Sequence, residues 1–234
     1  MNGTHLSKRL ETVSEHVEPG SRLADIGSDH AYLPIHLAKN KIINYGVVGE
    51  VAKGPLSNAI NEISKEGLLD ILHPRLADGL AAIEADDQIN AITIAGMGGI
   101  LISQILENGQ DKLTGQEKLI LQPNVGENIV RTWLMNHQYF IKAEQILEED
   151  HHIYEIITAV KSAQPVGYSA KQLKFGPYLL IEKSPIFISK WQEERQQLQR
   201  VISNMKRAVH EDKPKMKKIE QQIQEIDEVI DSER

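Results

Sequence analysis

The sequence contains no cysteine among its 234 residues, which excludes disulfide bonds, a thiol nucleophile and cysteine-ligated metal. It also lacks an apolar run of the roughly 18 residues that a membrane helix needs. The polar start MNGTHLSKRLE has no apolar stretch typical of a signal peptide. Positive charge is not in excess, because the formal net charge is −7. We therefore expect a cytoplasmic monomer that needs neither membrane nor metal, in which a local basic patch must meet any polyanionic partner.

The composition, 41% hydrophobic and 25% charged, is that of a folded globular protein. Short apolar runs alternate with helical segments up to about residue 160, which predicts right-handed βαβ crossovers and a mostly parallel sheet. The last two runs are separated by EEDHH alone, so we expect them to pair antiparallel at one end of the sheet. The predicted strands are 21–27, 45–51, 73–79, 90–96, 117–123, 139–147 and 154–161.

The alternating pattern of strands and helices ends near residue 162, and we predict a first domain at 1–162 and a second at 163–234. The second begins with a turn-rich connector. From position 186 to 233 apolar residues recur at helical spacing, and those of 216–230 stand alternately three and four residues apart, the a/d spacing of a coiled coil. The break EDKP at 211–214 is where an antiparallel helical hairpin would turn.

The segment DIGSDH begins at the end of the first predicted strand and carries more negative charge than a phosphate site tolerates. Asp25 and Asp29 flank Gly27, and the loop lacks the repeated glycines that cradle a pyrophosphate. Glu50 and Asp78 end the second and third predicted strands at the same edge of the sheet. This acidic set favours a cationic nucleoside without phosphate, such as S-adenosylmethionine: Glu50 suits the ribose hydroxyls, Asp78 the adenine amino group, and Asp25 with the Gly27 loop the amino-acid end. Three surface carboxylates at strand ends are the alternative.

Several motifs in consistent order resemble the bacterial tRNA (adenine-22-N1)-methyltransferase family: LSKRL, ADIGSDHAYLP, GE, ADGL, ITIAGMGG and LILQPN. The resemblance implies a Rossmann-like, seven-stranded class I methyltransferase domain with a C-terminal coiled-coil hairpin, S-adenosylmethionine as methyl donor and tRNA as acceptor. By motif position it implies cofactor contacts at Asp25, Gly27, Ser28, Asp29, His30, Glu50, Val51, Asp78, Gly79, Gly96 and Met97.

The catalytic group is less defined by the sequence. Attack by adenine N1 needs no prior deprotonation, but the product ring is cationic, so a carboxylate near it is useful. Asp29 is the candidate, and His30 is its rival; a cap on the following helix is the other interpretation of His30. Tyr32 is a candidate for stacking on a base or for helix packing. The (N/D)PP(Y/F) motif of many amino-group methyltransferases is replaced by AGMGG, whose glycines suit a flat base or a tight turn.

The residues 206–218 contain six basic and two acidic side chains near the predicted hairpin tip. With the N-terminal pair Lys8 and Arg9 they are the predicted RNA-binding residues: Lys206, Arg207, Lys213, Lys215, Lys217 and Lys218. A solvated helix face is the alternative for each group. The alternative functions are a methyltransferase of a small molecule or protein with a dimerising hairpin, and a non-catalytic nucleoside-binding module. An NAD-dependent oxidoreductase is disfavoured by DIGSDH.

Overall fold

The computed structural model describes residues 5–207 and 212–231. Contacts divide the chain into two compact units, Met1–Pro177 and Tyr178–Arg234. The predicted domain boundary at residue 162 stays a prediction, and the contacts of the first unit extend beyond it. In the described ranges no helix has the length and apolar character to span a membrane. Over the same ranges no group of three or more His, Asp or Glu side chains is arranged to hold a metal ion.

Seven strands form one sheet, close to the seven segments predicted from hydrophobic patterning. They are β1 Ser21–Ile26, β2 Ile43–Glu50, β3 Leu72–Leu76, β4 Ala91–Gly98, β5 Lys118–Val125, β6 Tyr139–Glu149 and β7 His152–Lys161. The third prediction runs too far, because the chain leaves β3 at Leu76 and Asp78 begins a 3₁₀ turn over Gly79–Ala82.

Helices of the first unit lie between most of these strands, as expected from the βαβ pattern. They are α1 Lys8–Glu15, α2 Tyr32–Lys39, α3 Lys53–Lys65, α4 Gly99–Asn108, α5 Glu127–Asn136 and α6 Ala170–Phe175. The amino end of α1 is capped by Ser7, whose Oγ accepts a hydrogen bond from the Leu10 N–H at 3.2 Å.

The strand order is β3-β2-β1-β4-β5-β7-β6. Strands β1 to β5 run parallel, whereas β7 is antiparallel to both β5 and β6. The prediction of an antiparallel pair at one end is confirmed. The chain order reverses between β1 and β4, and in such sheets ligands bind outside the carboxyl ends of the strands at this switch point. We call the side where β1 to β5 end the carboxyl edge.

Successive residues of the strands fill apolar clusters on opposite faces of the sheet. In β1, Ala24 belongs to one cluster and Leu23 to the other, and in β2 Val47 and Val48 divide in the same way. This alternation follows from the two-residue period of a strand. Because both faces are covered, the carboxyl edge is the part of the sheet left for a ligand.

Two polar clusters hold peripheral elements to this sheet. His16, just after α1, makes contacts of 3.0 Å to Gln145 Oε1 and 2.9 Å to Thr158 Oγ1, and burial lowers the pKa of its ring. Arg131 of α5 is fully buried, with Nε 2.7 Å from Glu144 Oε1 and Nη2 2.5 Å from Glu155 Oε2. These clusters join α1 and α5 to the antiparallel strands β6 and β7.

The second unit contains a helical hairpin. Its helices are α7 Leu179–Glu182, α8 Pro185–Lys206 and α9 Lys213–Ile230. Ser184 caps α8 ahead of Pro185, and Asp212 caps α9 by accepting the Lys215 N–H at 3.0 Å. Helices α8 and α9 pack against each other, and Arg195 Nη1 lies 2.9 Å from Asp227 Oδ1. Of the turn predicted at 211–214, residue 211 lies outside the described residues.

Candidate functional site

A cleft of about 280 Å³ opens at the carboxyl edge beside the switch point between β1 and β4. It contains the loop after β1, the end of β4 and two residues of α1. Its lining residues are Arg9, Leu10, Asp25, Gly27, Ser28, Asp29, His30, Tyr32, Leu33, Ala95 and Gly96. Six of the predicted cofactor contacts therefore line one cleft, together with Arg9 from the predicted RNA-binding set.

Asp25 anchors the loop from inside. Its carboxylate is only 5% exposed and accepts a hydrogen bond from the Ser28 hydroxyl and one of 2.6 Å from the Thr93 hydroxyl. Burial raises the pKa of the Asp25 carboxyl, the two hydroxyl hydrogen bonds offset part of that rise, and the Glu50 carboxylate adds to it. A buried carboxylate of this kind favours a cationic ligand group nearby, since an added positive charge offsets its lost hydration.

Gly27 turns the chain directly after β1. Its φ is +72°, a left-handed conformation that glycine adopts without steric penalty. A Cβ at this position would lie 1.9 Å from Cε of Met97, so Met97 of β4 closes over the glycine. The Gly27 N–H donates to the Gly49 carbonyl oxygen at 2.9 Å, which extends the β1–β2 pairing into the loop. The missing side chain of Gly27 thus leaves room for the Met97 methyl group beside the cleft.

Glu50, at the end of β2, supports the same loop. Its Oε1 accepts the Asp29 N–H at 2.5 Å, and its side chain is buried. Within the described residues its other oxygen, Oε2, makes no hydrogen bond. Asp29 itself has a φ of +50° and directs its carboxylate outward, with 66% of the side chain exposed. Glu50 therefore orders the loop, while Asp29 displays its charge at the cleft.

His30 and Tyr32 form the outer wall of the cleft. Their rings stack with centroids 5.1 Å apart and an interplanar angle of 9°. Nε2 of His30 lies 3.8 Å from Asp29 Oδ2. The N-cap of α2 is Ala31, and no side chain caps that helix, so the interpretation of His30 as a helix cap is wrong. Asp29 and His30 form a polar pair at the entrance.

In the AGMGG turn, the structure constrains Gly99 and Gly96 for different reasons. A Cβ on Gly99 would lie 2.2 Å from the Gly126 carbonyl oxygen, so close packing of two backbones requires glycine there. Gly96 has a φ of +80° and its backbone is held by two side chains of β5. The Gly96 N–H donates to Gln122 Oε1 at 2.9 Å, and Asn124 Nδ2 donates to the Gly96 carbonyl at 2.8 Å.

The other predicted cofactor residues lie outside this cleft. Asp78 and Gly79 line a second cavity of about 340 Å³ with residues of α4, including Leu101 and Ile105. Val51, directly after β2, is 68% exposed. The structure thus brings together the residues predicted for the amino-acid end of a nucleoside donor. The residues predicted for the adenine end of the donor lie outside this cleft.

The predicted RNA-binding residues occupy different environments. Lys8 donates its backbone N–H to Glu149 Oε1 at 2.5 Å and its Nζ to the Glu148 carbonyl at 3.1 Å. In the second unit the predicted basic side chains are all exposed: Lys206, Arg207, Lys213, Lys215, Lys217 and Lys218. They lie on the last turn of α8, the residue after it and the first turns of α9.

The sequence analysis missed two residues that support the cleft. Thr93 is fully buried in β4 beneath Asp25, and Gln122 is fully buried in β5 beneath Gly96. Each is a polar residue inside an otherwise apolar strand. Because buried polar groups are nearly always hydrogen-bonded, such interruptions in AITIAG and LILQP are the signal that marks a built site at these strand ends.

Comparison with known proteins gives a consistent result. The family described as tRNA (adenine(22)-N(1))-methyltransferase matches residues 23–228. A curated relative from Bacillus subtilis (strain 168), named tRNA (adenine(22)-N(1))-methyltransferase, is 41% identical over 237 residues and covers 99% of both chains.

Solved structures give the same result over 97% of this chain. A Streptococcus pneumoniae protein solved in complex with S-adenosyl-L-methionine is 43% identical. The match covers 97% of this chain and 100% of that one, with a TM-score of 0.88. An M. capricolum homologue in complex with S-adenosyl-homocysteine is 28% identical, with 97% and 98% coverage and a TM-score of 0.86.

Proposed function

The chain belongs to the tRNA (adenine(22)-N(1))-methyltransferase family, and we propose that the cleft between the ends of β1 and β4 is its active site. The enzyme transfers a methyl group from S-adenosylmethionine to N1 of adenine 22 in tRNA. The observation that supports this site best is the buried Asp25 beneath the glycine loop that lines the cleft.

The residues of the cleft fit the donor. S-adenosylmethionine supplies a methyl group already activated on a sulfonium, together with an ammonium and a ribose diol. Asp25 provides buried negative charge for the ammonium, and the Gly27 loop lines the cleft beside it. The second oxygen of Glu50 is suited to accept the ribose hydroxyls. We also propose that Asp78, Gly79 and Val51 hold the adenine end.

At the acceptor side we propose that Asp29 and His30 act on the target adenine. Methylation of N1 makes the ring cationic, and a carboxylate near the ring stabilises this charge or accepts a proton from the exocyclic amine. Asp29 is exposed at the entrance, with His30 3.8 Å away. Because N1 is engaged in Watson–Crick pairing within a helix, the enzyme needs the base unpaired or flipped out. Tyr32, stacked on His30, then extends a flat surface for it.

The turn after β4 bears on the choice of ring nitrogen. In enzymes with the (N/D)PP(Y/F) motif, that turn grips the amino group. Here the Gly96 carbonyl already accepts the Asn124 Nδ2–H at 2.8 Å, and no side chain extends from the glycines. We propose that this lack of an amino-group clamp favours reaction at N1 over the exocyclic amine.

For tRNA binding we propose the exposed basic residues at the end of α8 and the start of α9, with Lys8 as an N-terminal contact. Lysine contacts to phosphate release counterions, so binding through them weakens as salt rises. Removal of residues 186–234 should weaken tRNA binding strongly and leave donor binding nearly unchanged. Equal tRNA affinity after this truncation would contradict the role. Since tRNA is the substrate, we propose a cytoplasmic location, and a monomer as the working form.

The activity is tested by incubating the full chain with labelled donor and a tRNA transcript, followed by nucleoside mass spectrometry. We expect 1-methyladenosine in the transcript that carries adenine 22 and none in a matched transcript with guanine at that position. Formation of N6-methyladenosine instead, or equal product from both transcripts, would contradict the proposed acceptor site.

A further inference from the structure

Arg9 is a half-buried cation without an anionic partner in the part of the chain that the structure describes. Its Nη1 donates to the Gln122 side-chain oxygen at 2.6 Å, and its guanidinium carbon lies 5.5 Å from the centre of the Tyr154 ring. Among residues 5–207 and 212–231 no carboxylate lies within ion-pair distance of this guanidinium. A charged group withdrawn from water in this way is stabilised by a ligand of opposite charge.

The guanidinium faces the cleft that the loop after β1 lines. Arg9 lines it together with Asp25, Gly27 and Gly96. The position that a Cβ of Gly96 would take lies 3.5 Å from Nη1 and 3.9 Å from Nη2, so the guanidinium covers this glycine. The neighbouring Lys8 differs, because its Nζ is bound to the Glu148 carbonyl. Of the two basic residues at the start of α1, Arg9 is the one that reaches the cleft.

Gln122 holds this cation in place without neutralising it. The amide is fully buried; its Oε1 also accepts the Gly96 N–H at 2.9 Å, and its Nε2 donates to Asn124 Oδ1 at 3.1 Å. The amide orientation is therefore fixed from both sides. A glutamate at this position would have the same shape but would cancel the positive charge of Arg9. We regard Gln122 as a positioning residue for the guanidinium.

We propose that Arg9 binds the carboxylate of the methionine part of S-adenosylmethionine, an inference that rests on the proposed function. The donor has two cationic groups and one carboxylate. The acidic residues of the site suit the cations, and the carboxylate needs a cationic partner. His30, the other basic group in the cleft, already has the Asp29 carboxylate 3.8 Å away. This assignment moves Arg9 from the tRNA-contacting set to the donor site. Arginine suits the task because its fork pairs with both carboxylate oxygens.

The test compares S-adenosylmethionine with its decarboxylated form by isothermal titration calorimetry, without tRNA. The wild-type chain, Arg9→Gln and Gln122→Glu are compared, with Lys118→Gln, at the opposite end of β5, as the matched loss of a cation. We expect the ratio of the two dissociation constants to shift by about 10- to 100-fold against the carboxylate-bearing donor in the first two variants. The ratio should stay unchanged in Lys118→Gln.

Each outcome is decisive. An unchanged ratio in both Arg9→Gln and Gln122→Glu overturns the inference, including the case in which Arg9→Gln instead weakens tRNA binding, as expected of a phosphate contact. If Arg9→Gln does not fold, as judged by its thermal unfolding, Gln122→Glu alone decides, since it keeps the side-chain shape. Failure of the wild-type chain to bind either compound would contradict the proposed function rather than the role of Arg9.

Discussion

The substitution Gly27→Ala tests whether the loop after β1 depends on the missing side chain of Gly27. Two costs follow from the structure. An L-residue at φ +72° costs about 1 kcal/mol, which lowers the melting temperature of a chain of this size by roughly 2–4 °C. The added Cβ would also lie 1.9 Å from Met97 Cε. The methyl group must then retreat by about 2 Å to reach ordinary contact distance.

The displacement of Met97 should affect donor binding rather than stability. Methionine adapts readily to a displaced position, so its movement adds little to the unfolding free energy. Met97 belongs to the turn that borders the cleft, however, and its displacement changes the surface that meets the donor. We expect the dissociation constant for S-adenosylmethionine to rise about tenfold, which corresponds to about 1.4 kcal/mol. Calorimetric titration and thermal unfolding measure the two effects separately.

Gly20→Ala is the matched control. Gly20 has a φ of +85°, but no atom lies within 4 Å of the position that its Cβ would take. This variant pays the same backbone penalty without moving a neighbour, so it should lose about 1 kcal/mol of stability and keep wild-type donor affinity. The reasoning is refuted if Gly27→Ala binds the donor as tightly as Gly20→Ala does.

Three further predictions concern catalysis, stability and pH. Asp29→Asn should lower the methylation rate at saturating donor by on the order of 100-fold while donor affinity stays within about twofold; a wild-type rate would exclude its catalytic role. Arg131→Met should lower the unfolding free energy by about 3–5 kcal/mol in urea denaturation, because Glu144 and Glu155 remain buried without their cation; a loss below about 1 kcal/mol would show that the carboxylates find other partners. The folded-state pKa of His16 lies below its ordinary value of 6.5, so its contribution to stability is present above pH 6.5 and is lost as pH falls through the folded pKa. His16→Gln should flatten the pH dependence of melting temperature in that range, and an unchanged slope would contradict this origin.

The sequence by itself determined most of the fold. Apolar runs of strand length, separated by helical segments, predict a parallel sheet, and the short EEDHH link predicts an antiparallel pair; both are observed. The hairpin followed from the three-and-four spacing of 216–230 and the break before it. These features are local, since each depends on the period of side chains along one segment. The acidic strand ends likewise predicted a cationic nucleoside as ligand, because charge at an edge follows from where strands end.

Only the tertiary structure decided which of these residues line the cleft and which of them support its loop. Asp25 and Glu50, predicted as ligand contacts alone, also hold the loop through Ser28 and the Asp29 N–H. Arg9, predicted as a phosphate contact, reaches Gln122, which is 113 positions away in the chain. Such pairs depend on strand order and on the docking of α1, which bring distant segments together. No local pattern encodes that proximity, so the set of residues that share the cleft is a property of the folded sheet.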